Sequence, residues 1–181
     1  VYSNNTVSYN TMAGTESVEN PAISILGLTQ IANITDTISK SMMDDGFAQR
    51  FGYVFAEKDS RPRIIDYVFD GLSEQVAPLW KQLTTTPFHP VYYPDDDVRK
   101  TFEAGGHLIM DQADAVGMND QFSRRIIFRS FKYALAYHIL TGQTDKYLHA
   151  DDIAQGLRLC AREFRDTTRL LGMFGVLKPP L

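Results

Sequence analysis

The spacing of apolar positions changes along the chain, and each spacing predicts an element. Residues 22–28, AISILGL, form an almost continuous apolar run with β-branched members, which predicts a strand buried on both faces, as in a parallel sheet. Ile31, Ile34, Ile38 and Met42 then recur at helical spacing, predicting a helix over 30–43 that Asp44-Asp45-Gly46 ends. A second strand is expected over 52–56, and a helix over 67–83, interrupted at Pro78 because proline lacks the amide donor. Pro87, Pro90 and Pro94 break the pattern and mark a subdomain boundary. Beyond them the period is helical only, over 97–116, 121–141 and 150–174. Asp95, Asp96 or Asp97 is placed to cap the first of these helices, and Asp151 or Asp152 stands at the positive end of the last. Residues 1–20, rich in Ser, Thr and Asn, read as an exposed loop or hairpin. The expected fold class is α/β, mostly α, with strands and helices over 1–86 and a helical bundle over 87–181.

Composition narrows the class. With 181 residues, 44% apolar and 22% charged, the chain can bury a core of one domain's size, and disordered or collagen-like classes are excluded. The longest apolar runs reach about seven residues against the roughly 18–20 of a bilayer-spanning helix, so no membrane partner is expected. Cys160 is the single cysteine, and His89, His107, His138 and His149 lack zinc-ligand spacing; a cytoplasmic location without a structural metal is the expectation. The chain begins Val-Tyr-Ser and reads as a piece of something longer. Charge is uneven: residues 1–120 hold 8 Lys/Arg against 17 Asp/Glu, whereas residues 121–181 hold 10 against 5. The excess of positive charge in the last third permits an acidic partner there.

That excess is organised. Arg158, Arg162, Arg165 and Arg169 fall within a band about 60° wide on the last helix. Ile153, Leu157, Cys160, Phe164 and Leu171 lie opposite. Arg125, Arg129 and Lys132 make a second ridge opposite Ile127, Phe131, Leu135 and His138. Two such ridges suit the phosphates of single-stranded DNA, each contact adding to the salt dependence of binding. The alternative is a solvated face paired with Glu163, Asp166 and the acidic N-terminal half. Tyr2 and Tyr9 are candidates for base stacking. Cys160 and Trp80, the latter with Leu79 and Leu83, are expected in the core.

A resemblance is carried by NPAISILGLTQ, the helix after it and DDGFAQRF. Together they resemble the late part of the ATPase domain in phage and plasmid replicative primase-helicases, a RecA-like group. The matching residues are Thr29, Gln30, Gly46, Phe47, Arg50 and Phe51. The helical tail is similar as well, with an arginine-and-aliphatic helix, a polar turn and a final helix opened by acidic residues. The resemblance implies the last strands of a RecA-like parallel sheet followed by a helical subdomain, working as a homo-oligomer around single-stranded DNA and coupling ATP hydrolysis to unwinding. It implies Thr29 or Gln30 as a phosphate sensor, and Arg50 as an arginine finger reaching a neighbouring subunit's nucleotide, with Phe47 and Phe51 anchoring its loop. Read from the residues alone, Thr29 is also a helix N-cap, and Arg50 a snorkelling or salt-bridged surface residue. No G-x-x-x-x-G-K-[ST] occurs, so ATP and Mg2+ are expected to be held mainly by residues outside this chain. A non-enzymatic helical module binding protein or DNA through its arginines is the other reading.

Overall fold

Ala150–Met173 combines an apolar stripe of period 3.6 with Asp151 and Asp152 in its first turn, where the helix dipole favours negative charge, and it forms one helix of 24 residues. This helix organises the fold. A computed structural model describes residues 6–11, 14–19, 25–39, 41–42, 46–56 and 71–177. The chain forms two compact units, residues 1–34 and 35–181.

In the first unit, β1 (Thr6–Thr11) and β2 (Gly14–Glu19) make an antiparallel hairpin with Thr6 opposite Glu19 and Thr11 opposite Gly14. Residues 25–30 are neither strand nor helix, which corrects the central strand expected over 22–28 for its described part. Leu26 and Leu28 are 91% and 93% exposed. An apolar run becomes a strand only when another strand satisfies its amides, and no described segment pairs with it. Helix α1 (Ile31–Thr37), which begins here, buries none of its side chains. It ends at Thr37, and residues 41 and 42 are helical again, so the helix expected over 30–43 is interrupted rather than continuous; a stripe without a partner surface gives a short helix little to offset its nucleation cost.

The second unit is helical. Around α2 (Leu72–Thr85), α3 (Asp96–Ala115), α4 (Asp120–Leu140) and α5 (Ala150–Met173), the only sheet is a two-residue parallel ladder of β3 (Tyr93–Pro94) and β4 (Tyr147–Leu148) among the described residues. The fold is thus mostly α with a small parallel sheet. The segment expected as a strand over 52–56 is extended but joins no ladder. The Asp95 side chain accepts from the Val98 amide at 2.7 Å to open α3, and Asn119 accepts from Gln121 at 2.8 Å to open α4. Pro78 sits inside α2 without ending it. Tyr2, the Arg61-Pro62-Arg63 turn and the start of the helix expected from Tyr67 lie outside the described residues.

α5 packs on both α4 and α3, with Ile126, Ala134, Ile153, Cys160, Leu170 and Leu171 fully buried between them. Gly156 permits the approach: a β-carbon there would overlap the Ser130 carbonyl of α4. His138, fully buried, hydrogen-bonds Asp152 through Nδ1 at 2.8 Å and the Asp145 carbonyl through Nε2 at 3.1 Å; Asp152 also accepts from the His149 amide at 2.9 Å. These bonds tie the end of α4 to the start of α5. Trp80, expected in the core, is instead 65% exposed beside the exposed Leu79. Gln82, near the end of α2, donates to the Leu140 carbonyl at 3.2 Å, and Leu83 is half-buried, so the last turns of the helix meet the bundle.

Candidate nucleic-acid interface

The segment 46–56 crosses from α4 to α5, and a buried ionic knot holds it there. Arg129 of α4 pairs with Glu163 of α5, their side chains 15% and 3% exposed. The same guanidinium donates through Nη2 to the Gln49 carbonyl at 2.8 Å, while the Tyr133 hydroxyl donates to Glu163 Oε2 at 2.9 Å. Arg129 therefore leaves the exposed ridge on which helical spacing places it, and its charge is spent inside the fold. Next to the knot, the Tyr53 hydroxyl donates to the Ala48 carbonyl at 2.8 Å. Burial pushes the Tyr53 phenol up to about 12 against the opposing pull of Arg129, and raises Tyr133 for the same reason. Cys160, packed against the Ile126 carbonyl at 3.0 Å, is also raised to about 12 by burial, which leaves its thiol protonated and inert.

Beyond the knot, Arg162, Arg165 and Arg169 line a groove of about 680 Å³ whose opposite wall is Val54 and Phe55. All three arginines are exposed, as is Val54. Both carboxylates at the groove are engaged: Glu163 by Arg129, and Asp166 by the Phe55 amide at 3.2 Å. The Arg169 guanidinium lies 5.2 Å from the Phe55 ring centroid, a cation–π contact. The groove is cationic with an apolar lip.

The other expected residues lie elsewhere. Arg158 is exposed, donates to Gln155 at 3.0 Å and borders, with Lys100, a separate hollow between α3 and α5. Lys132 is exposed and Arg125 half-buried on α4. Arg50, on the single 3-10 turn Ala48–Arg50, is exposed and donates to the Gly46 carbonyl at 3.0 Å. Phe47 and Phe51 meet edge to face across it, centroids 5.2 Å apart. Thr29 and Gln30 are exposed in the first unit, where the Gln30 carbonyl accepts from the Asn33 and Ile34 amides and from the Thr29 hydroxyl at 3.5 Å. Tyr9 stands in β1 opposite Glu16.

Sequence reasoning missed Val54, Phe55 and Asp166 as groove residues, because the Phe55–Asp166 contact spans 111 residues. One signal was present. Glu163 falls on the apolar stripe of α5, between Cys160 and Thr167, and an acid at a core position demands a buried base. No helix among the described residues is long and apolar enough to cross a membrane. Comparison with protein-family models, curated proteins and solved structures finds no match to this chain.

Proposed function

We propose that the helical unit binds the phosphate backbone of single-stranded DNA along the arginine face of α5. The observation that carries this reading is the groove in which Arg162, Arg165 and Arg169 stand exposed while both neighbouring carboxylates are already engaged. Each planar guanidinium fork matches a pair of phosphate oxygens. Arg169 lies in cation–π contact with Phe55 at the edge of the groove, and the exposed Val54 adds an apolar surface beside it against which an unstacked base can lie. The test is fluorescence anisotropy of a labelled thymidine 20-mer. Arg162→Glu with Arg165→Glu lowers affinity at least about tenfold at 100 mM salt, with the circular dichroism spectrum unchanged. Equal affinities would refute the reading.

A second reading makes the chain the C-terminal part of a RecA-like primase-helicase ATPase, a ring-forming homo-oligomer in which Arg50 reaches a neighbour's nucleotide and Thr29 or Gln30 senses phosphate. The exposure of Arg50, on a short turn bracketed by the Phe47–Phe51 pair, favours it. The residues present supply no P-loop cradle, so ATP and Mg2+ would be held outside this chain. In the complete protein, Arg50→Ala abolishes DNA-stimulated ATP hydrolysis while assembly persists; retained hydrolysis removes the finger.

A further inference from the structure

A stretch of α4 that the α5 groove does not use alternates cations with an aromatic ring. Arg124, Phe128 and Lys132 recur four residues apart, so each lies about 6 Å further along the helix and about 40° further round it. All three are exposed, Phe128 by 61%. Arg124 meets Asp120 at 3.8 Å, but both side chains are 64% exposed, and a surface pair of that kind holds its members only weakly. A strand lying along this face meets a cation, a ring and a cation in turn.

Phe128 does not stand alone. Its ring centroid lies 5.6 Å from that of the half-buried Phe102 on α3, which lies in turn 4.7 Å from that of Phe131. These contacts brace the exposed ring, so it loses little freedom when a ligand covers it. Beside it, between α3 and α4, opens a hollow of about 320 Å³, near the lower end of the roughly 300–1,000 Å³ of small-ligand clefts. Gly106 and Ile127, both buried, form its floor, and Glu103 and Arg124, both exposed, stand at its rim.

The rim differs in chemistry from the α5 groove. A carboxylate repels a phosphate, but it accepts hydrogen bonds from an amino group. An aromatic wall beside a carboxylate therefore suits a planar base that carries an exocyclic amine, while the flanking cations suit the phosphates on either side of it. We propose that the hollow between α3 and α4 seats one unstacked base of single-stranded DNA, stacked on Phe128 with its amino group at Glu103, and that Arg124 and Lys132 hold the adjoining phosphates. The site rests on the α5 reading for the identity of its ligand, but it shares no residue with that groove.

The test is fluorescence anisotropy of labelled octamers. Deoxycytidine and thymidine strands are compared at pH 8, because both bases are single rings and only cytosine carries an exocyclic amine. The deoxycytidine octamer is expected to bind at least about threefold tighter, and Glu103→Ala to abolish that preference. Phe128→Ala weakens binding of the deoxycytidine octamer at least about fivefold, whereas Phe128→Tyr, which keeps a ring, retains it, each with an unchanged circular dichroism spectrum. Arg124→Ala with Lys132→Ala lowers the magnitude of the slope of log K against log salt by about 1.4. Equal affinity for the two strands, or a Phe128→Ala variant that binds as the parent does, overturns the proposal; if Arg162→Glu with Arg165→Glu still weakens binding, the α5 reading survives that failure. Conversely, a cytidine preference that depends on Phe128, beside an unchanged affinity in the α5 variant, supports this site and removes the groove.

Discussion

Replacing Glu163 by glutamine tests whether the buried ionic knot holds the 46–56 segment to the bundle. The substitution preserves shape and an acceptor for Tyr133 but removes the counter-charge of a guanidinium that is only 15% exposed. Solvent screening discounts little at that burial, and an orphaned buried charge costs about 3–5 kcal/mol. For a unit of this size, each kcal/mol moves the melting temperature by about 2–4 °C, so E163Q should melt roughly 10 °C below the parent. Urea unfolding followed by circular dichroism gives the free energy directly. The double variant Arg129→Met, Glu163→Leu removes both charges and should be more stable than E163Q alone, because hydrophobic replacement of a buried pair is often neutral. Limited proteolysis supplies the local readout, with cleavage between residues 46 and 56 faster in E163Q. If E163Q unfolds within about 1 kcal/mol of the parent, the pairing does not hold the segment and the reasoning fails.

Three further outcomes follow from the packing and from the shifted groups. Gly156→Ala forces α4 and α5 apart at the Ser130 carbonyl and should cost at least about 2 kcal/mol in urea unfolding; a neutral result would contradict the close approach. Cys160 should stay unmodified by a disulfide reagent at pH 8 until the chain is unfolded, since burial lifts its thiol to about 12; prompt labelling of the native chain would disprove its burial. Tyr53 is raised from 10.0 to about 12 in the fold, so its contribution is complete below pH 10 and drains away as pH rises to 12; Tyr53→Phe should flatten the alkaline loss of stability, and an equal slope in both proteins would refute the assignment.

The helices of the bundle were legible because their signals are local and agree with one another. α3, α4 and α5 each combine a stripe of period 3.6 with acidic residues in the first turn, and their ends fall within a residue or two of the expected ones. Signals that depend on a partner were not legible. Residues 25–28 carry the hydrophobicity of a strand, but pairing requires a second strand, and the described part of the run is exposed. The same limit applies to the arginines. On α4, Arg129 sits about 40° round the helix from Arg125, toward Tyr133, so its long side chain turns inward once Glu163 stands across the interface. Spacing counts such a residue with the exposed ridge; only the position of the opposing acid reveals where its charge goes. The α5 ridge was read correctly as exposed, since Arg158, Arg162, Arg165 and Arg169 all face solvent, but its division between two hollows depends on Phe55 and Lys100, distant in sequence.

The proposed role of α5 is tested most directly by the salt dependence of binding to a thymidine 20-mer. A single-stranded phosphate contact contributes about −0.7 to the slope of log K against log salt. Removing Arg162 and Arg165 as alanines should therefore reduce the magnitude of the slope by about 1.4 relative to the parent. An unchanged slope, with the variant still folded, would show that neither guanidinium meets a phosphate.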